Sequence, residues 1–163
     1  MLRYFPRCEN SLEAMTEARK LLASPSFLGQ FSDCLREFMV RKLLWVLTEG
    51  PCPTGSGSTR RHKYEEVPFR TPAAQAGGNR RHEHVFDLKW AVAELLAHPD
   101  RCHEIADQIV ACVVTEEEHQ QLKAHGRGLV GWERYKSAGL TVLDVRKDPS
   151  DPAYWKVPAP SSS

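Results

Sequence analysis

The chain has no apolar stretch near the roughly 20 residues that a membrane-spanning helix requires. Its longest candidate, Phe38 to Leu47, is interrupted by Arg41 and Lys42. The start, Met1-Leu2-Arg3-Tyr4-Phe5-Pro6, carries neither the apolar stretch nor the small-residue cleavage site of an export signal. The expected compartment is therefore the cytoplasm, with no membrane partner. No Cys-x-x-Cys pair occurs, which argues against a zinc ribbon or a thioredoxin-like site. The five cysteines, Cys8, Cys34, Cys52, Cys102 and Cys112, are odd in number and widely spaced, unlike a disulfide framework. An excess of one charge is lacking as well. With 22 Lys and Arg against 21 Asp and Glu the net charge is +1, so any affinity for nucleic acid must come from a local patch.

What is present describes an ordinary globular chain. In 163 residues, 41% are hydrophobic and 26% charged, enough to build one core and too apolar for wholesale disorder. The first third reads as helix. Asn10 or Ser11 can cap Leu12 to Leu22, which ends before Pro25. A longer helix is expected from Ser26 to Leu47, where Phe27, Phe31, Leu35, Phe38, Met39, Leu43, Val46 and Leu47 recur at three- and four-residue steps. Its face Phe31, Leu35, Phe38 and Leu43 is expected to be buried. The same stripe could instead serve a homodimer or another partner, as in a non-enzymatic helical binding or regulatory protein.

Gly50-Pro51 ends that helix, and residues 51–79 read as basic, flexible loops built on PCPTGSGST and TPAAQAGGN. Between them Tyr64 to Phe69 has weak strand character, with Pro68 indicating an edge. Asp87 is placed to cap a helix with Leu88, Ala91, Val92, Leu95 and Leu96 on one face. Pro99-Asp100 separates it from a helix holding Ile105, Ile109 and Val110, and the run Ile109 to Val114 can end as a short buried strand. Thr115 with Glu118 forms a capping box that opens a helix from Glu116 to Ala124. A loop from Gly126 to Gly131, a helix from Trp132 to Ala138 closed by Gly139, and a strand from Leu140 to Val145 follow. Trp132 and Tyr135 read as core anchors. The fold class is thus a helix-rich α+β domain over residues 1–147. Residues 1–50 form its helical region, 51–79 its loops and 80–147 a strand–helix region. The Pro- and Ser-rich residues 148–163 read as a tail.

Histidine is the informative residue type, and His82-Glu83-His84 is its densest point. In an extended segment His82 and His84 share one face and Glu83 takes the other. Imidazole can act as general base or metal ligand at neutral pH, although a solvated polar strand end explains the same residues. His119, just beyond the first turn of the capped helix, could point back to the strand end and ligate a cation, or stand in solvent. No flanking sequence singles out one cysteine as a nucleophile paired with a histidine. Arg60, Arg61, Lys63, Arg70, Arg80 and Arg81 fall within twenty-two residues, and phosphate contacts from such loops would position a substrate without reading its sequence.

Glu83-His84-Val85 and Val113-Val114-Thr115-Glu116-Glu117-Glu118-His119 together resemble the two elements of the HNH, or His-Me finger, endonucleases. The resemblance spans Arg80 to Lys123. It implies Glu83 and His119 as ligands of a divalent metal (Mg, Mn or Zn), His84 as general base, and Arg60, Arg61, Lys63, Arg80 and Arg81 as contacts to nucleic acid, most naturally DNA. His82 and His103 are secondary candidates. The family's asparagine or histidine before the second element has no direct counterpart: Asp107 and Gln108 stand there, with His103 further back. Weak or absent catalysis is therefore part of the expectation. A hydrolase or metal-binding protein unrelated to nucleases could use the same histidines.

Overall fold

The computed structural model of the chain describes residues 9–49, 64, 67–126 and 128–157. Helices α1 (Glu9–Leu22), α2 (Pro25–Leu28) and α3 (Asp33–Glu49) come first. Then follow β1 (Phe69–Arg70), α4 (Pro72–Ala76), β2 (Arg80–His84), α5 (Leu88–Ala97), α6 (Cys102–Gln108), β3 (Ala111–Thr115), α7 (Glu116–His125), α8 (Trp132–Ser137), β4 (Val142–Asp144) and β5 (Trp155–Val157). The strands form one mixed sheet in the order β2-β3-β1-β4-β5, with β1 parallel to β3 and the other pairs antiparallel. The fold is α+β. No described helix is long and apolar enough to cross a membrane.

The sheet divides the apolar interior in two, and β3 shows how. All five of its residues are buried. Because side chains alternate, Ala111 and Val113 face the core built by α1, α3, α5 and α6, through Met15, Leu44, Leu95 and Ile105. Cys112 and Val114 face a second core with Phe69, Leu122, Tyr135 and Val142. A strand covered on both faces lacks the polar alternation of a half-exposed one, which is why Ile109 to Val114 reads as a continuous apolar run. Removing this apolar area from water is the main favourable contribution to the fold.

Several elements match their sequence signals. Asp87 caps α5 by accepting from the Lys89 amide at 2.8 Å. Both halves of the Thr115/Glu118 capping box are formed. Glu118 Oε2 also accepts from the Thr71 hydroxyl at 2.6 Å, tying the N-terminus of α7 to the residue that caps α4. Gly131, at φ 64°, begins α8 with Phe86 stacked on it. A Cβ there would stand 2.7 Å from Phe86 Cζ, so conformation and space both require glycine.

Other expectations are corrected. The single helix from Ser26 to Leu47 is two, because the chain turns after Leu28 at Gly29 and restarts at Asp33. Arg36 secures this break by donating to the Leu28 and Phe31 carbonyls at 2.9 and 3.0 Å. The restart sets a different helical phase: α3 buries Val40, Leu43, Leu44 and Leu47, while Leu35 and Phe38 are 43% and 52% exposed. Residues 71–79 are not wholly loop, since Thr71 caps the short α4. Pro68 does not mark an edge: β1 lies between β3 and β4, and the Pro68 carbonyl accepts from the Val145 amide. The packed unit continues past Lys147, because β5 pairs with β4 and buries Val157.

Candidate functional site

Strand β2 is the edge of the sheet, aligned antiparallel with β3 so that His82, Glu83 and His84 oppose Val113, Cys112 and Ala111. This register decides which way each polar side chain points. Glu83 shares the face of Cys112 and meets α7 and α8. His82 and His84 share the other face and meet the end of α3.

On the first face, Glu83 Oε2 lies 2.8 Å from His119 Nδ1. Its second oxygen accepts from Arg134 Nη2 at 2.9 Å, and Arg134 Nη1 donates to the His84 carbonyl at 3.3 Å. The side chains of Glu83, His119 and Arg134 are 13%, 21% and 17% exposed. A carboxylate this shielded needs such partners, because an unpaired charge there would carry a large desolvation penalty. His119 reaches Glu83 because the capping box fixes where α7 begins, and the fourth residue of that helix turns back over the edge of the sheet.

On the second face, the His84 Nε2 lies 3.2 Å from the hydroxyl of buried Thr48. That hydroxyl has one hydrogen, and it is directed to the Leu44 and Trp45 carbonyls at 3.3 and 3.1 Å. The Thr48 hydroxyl can thus accept from His84 Nε2–H while it donates to the helix carbonyls, and the contact anchors the His84 ring against the end of α3. His82 Nε2 stands 3.3 Å from the Thr48 carbonyl, and the two imidazoles meet edge to face at 5.1 Å.

Both faces reach one cleft of about 680 Å³ at the end of β2, bordered by Glu83, His84 and Arg134 and by Arg41, Lys89 and Lys123. Of the residues expected at a site, Glu83 and His119 are brought into contact. His84 lines the same cleft from the opposite face, with its ring on Thr48. Arg80 and Arg81 lie at the far end of β2, and Arg81 is ion-paired to Glu116, which holds the Glu116 carboxyl below its ordinary pKa. His103 is exposed on α6, away from the cleft. Arg60, Arg61 and Lys63 fall outside the described residues. Sequence reasoning missed Arg134, Arg41, Lys89 and Lys123. These come from α8, α3, α5 and α7, and no local spacing connects them.

Among the described residues, no third His, Cys, Asp or Glu joins Glu83 and His119 in a metal-sized cluster. Comparison with protein-family models, curated proteins and solved structures finds no match.

Proposed function

We propose that the chain is a metal-dependent nucleic-acid phosphodiester hydrolase of the HNH-like kind that residues 80–123 resemble. The observation that supports this most is the meeting of Glu83 and His119 at 2.8 Å, produced by two antiparallel strands and the helix that follows the second. Oxygen and nitrogen ligands lie about 2.0–2.2 Å from a divalent ion. Two donors at the observed separation therefore suit neighbouring positions on one ion. With two protein donors among the described residues, the remaining positions would go to water and phosphate oxygens, the usual manner of holding magnesium. Glu83 and His119 would hold the ion, which when bound stabilises the negative charge developing on the phosphate oxygens.

The chain's own groups supply the remainder. His84, its ring placed by the contact with Thr48, would accept the proton of the attacking water. Arg134 orients Glu83 through the carboxylate oxygen that His119 does not use. The absent asparagine leaves the orientation of His84 to Thr48, and slow turnover is expected.

The test is plasmid nicking with magnesium, manganese or zinc, alongside metal binding read as a thermal shift. His84→Ala should abolish cleavage and keep the shift; Glu83→Ala and His119→Ala should lose both. A wild-type protein that neither binds metal nor nicks would end this reading.

A second reading is favoured by α3, whose outer side leaves Leu35, Phe38 and Trp45 43%, 52% and 41% exposed. Such a stripe suits a protein-binding role, with a second copy of the chain as partner. Concentration-dependent sedimentation that Phe38→Glu abolishes would support it; a monomer at all concentrations would remove it.

A further inference from the structure

The cleft carries four cationic side chains, Arg41, Lys89, Lys123 and Arg134, against two acidic ones, Glu83 and Asp87. In a chain of net charge +1 this is a local concentration of positive charge. The acids are already committed. Glu83 is held by His119 and Arg134, and Asp87 caps α5. Arg41 is paired with Glu37 on its own helix at 3.0 Å. Lys89 and Lys123 have no ion pair among the described residues, and both are exposed. They stand on α5 and α7, the helices that follow β2 and β3. Beside them the cleft wall includes Leu129 and Val130, 41% and 56% exposed. Uncommitted cations next to exposed apolar surface match a ligand whose phosphates alternate with flat, weakly polar groups.

From this we infer that Lys89 and Lys123 are the phosphate-binding residues of the cleft, which takes a nucleic-acid single strand with its bases towards Leu129 and Val130. This rests on the hydrolase reading for what happens to the strand, but the binding stands on the cleft alone. It adds a polyanion contact at the end of β2 opposite Arg80 and Arg81. Arg81 is ion-paired with Glu116, whereas the two lysines have their charge to give. A phosphate bound in the cleft that both lysines border has Glu83, His84 and Arg134 on the same lining, where hydrolysis would need it.

The experiment is fluorescence anisotropy of a labelled single strand of about twelve nucleotides, within the span a single-strand groove covers. It is run on the full chain in EDTA over a series of salt concentrations, so that binding is read without metal or cleavage. Lys89→Ala with Lys123→Ala should weaken binding on the order of tenfold at low salt. It should also flatten the salt dependence by about 1.4, because each phosphate neutralised on a single strand contributes roughly 0.7 to the slope. Lys20→Ala with Lys147→Ala removes the same charge from α1 and from the turn after β4, and should leave the slope unchanged. Equal losses in the two double variants, an undiminished cleft variant, or no binding by the wild type would each overturn the inference. Polyglutamate displacing the strand as well as unlabelled oligonucleotide does would assign the cleft to acidic polypeptide, and overturn it too. Binding that depends on Lys89 and Lys123 without nicking in metal rejects hydrolysis alone. Nicking by a wild type whose cleft variant binds normally rejects this inference alone.

Discussion

His119 Nδ1 and Glu83 Oε2 stand 2.8 Å apart across the edge of the sheet, joining α7 to β2. Arg134 holds the other carboxylate oxygen, so Glu83 is the centre of a three-residue cluster with little access to water. Removing it strands a guanidinium and an imidazole. Glu83→Ala should therefore destabilise the fold by about 3 kcal/mol, the lower end for breaking a shielded pair. Glu83→Gln, which still accepts from Arg134, should cost less. Urea denaturation of both variants checks this, and a neutral Glu83→Ala would show the cluster to be solvated.

The two helical phases of the N-terminal region make opposite predictions for α3. Phe38 is 52% exposed, so Phe38→Asp should leave the melting temperature close to that of the wild type. Leu44 is fully buried against the first core, and Leu44→Ala should cost about 2–5 kcal/mol as transfer and cavity effects add. Paired thermal melts decide the matter. A large loss for Phe38→Asp with little for Leu44→Ala would restore the phase read from the sequence.

That difference shows where the sequence stops being legible. Three- and four-residue spacing locates an amphipathic segment but cannot detect a one-turn break, and the break at Gly29 rotates everything after it. Signals confined to one turn or one strand were legible: the Asp87 cap, the Thr115/Glu118 box and the two-sided burial of β3. The separation of Glu83 from His82 and His84 was legible too, because alternation along a strand is a local property. Contacts fixed by packing were not. Arg134 sits between Trp132 and Tyr135, and nothing near it in the chain points to a carboxylate 51 residues away. Thr48 is equally silent, since its contact with His84 depends on how α3 crosses the sheet. β5 was hidden because a Pro- and Ser-rich composition describes its flanks, while Val157 supplies the apolar contact.

Thiol chemistry offers a test of burial. Cys34 lies exposed near the start of α3, while Cys102 and Cys112 are buried. Burial raises the Cys102 thiol and pushes Cys112 well above its ordinary value, which removes the reactive thiolate at neutral pH. Iodoacetamide on the native protein, followed by peptide mass spectrometry, should modify Cys34 and spare Cys102 and Cys112 until urea is added. Rapid native labelling of Cys112 would contradict the closed second core and reopen the case for a cysteine nucleophile.

The acid side of the stability curve should be governed in part by Asp144. Burial works to raise its carboxyl, but hydrogen bonds from the Arg146 side chain and amide, with the Arg146 charge, outweigh it and hold the group below its ordinary range. Arg146 is itself held in place over the Phe69 ring at 5.2 Å. The sign follows from linkage. A carboxyl whose pKa is lower folded than unfolded stabilises fully above its unfolded value of about 4. That contribution declines as pH falls and is gone below the folded value. Asp144→Asn removes this titration and leaves the exposed carboxylates unchanged. The gap in urea midpoint between wild type and variant should thus be constant above about pH 5 and close progressively below it. Arg146→Ala should also abolish the acid loss that Asp144 causes, because burial without Arg146 no longer leaves the carboxyl below its unfolded value. A gap that stays constant down to about pH 2 would mean that Asp144 titrates alike in both states, and that its pairing with Arg146 contributes nothing to acid stability.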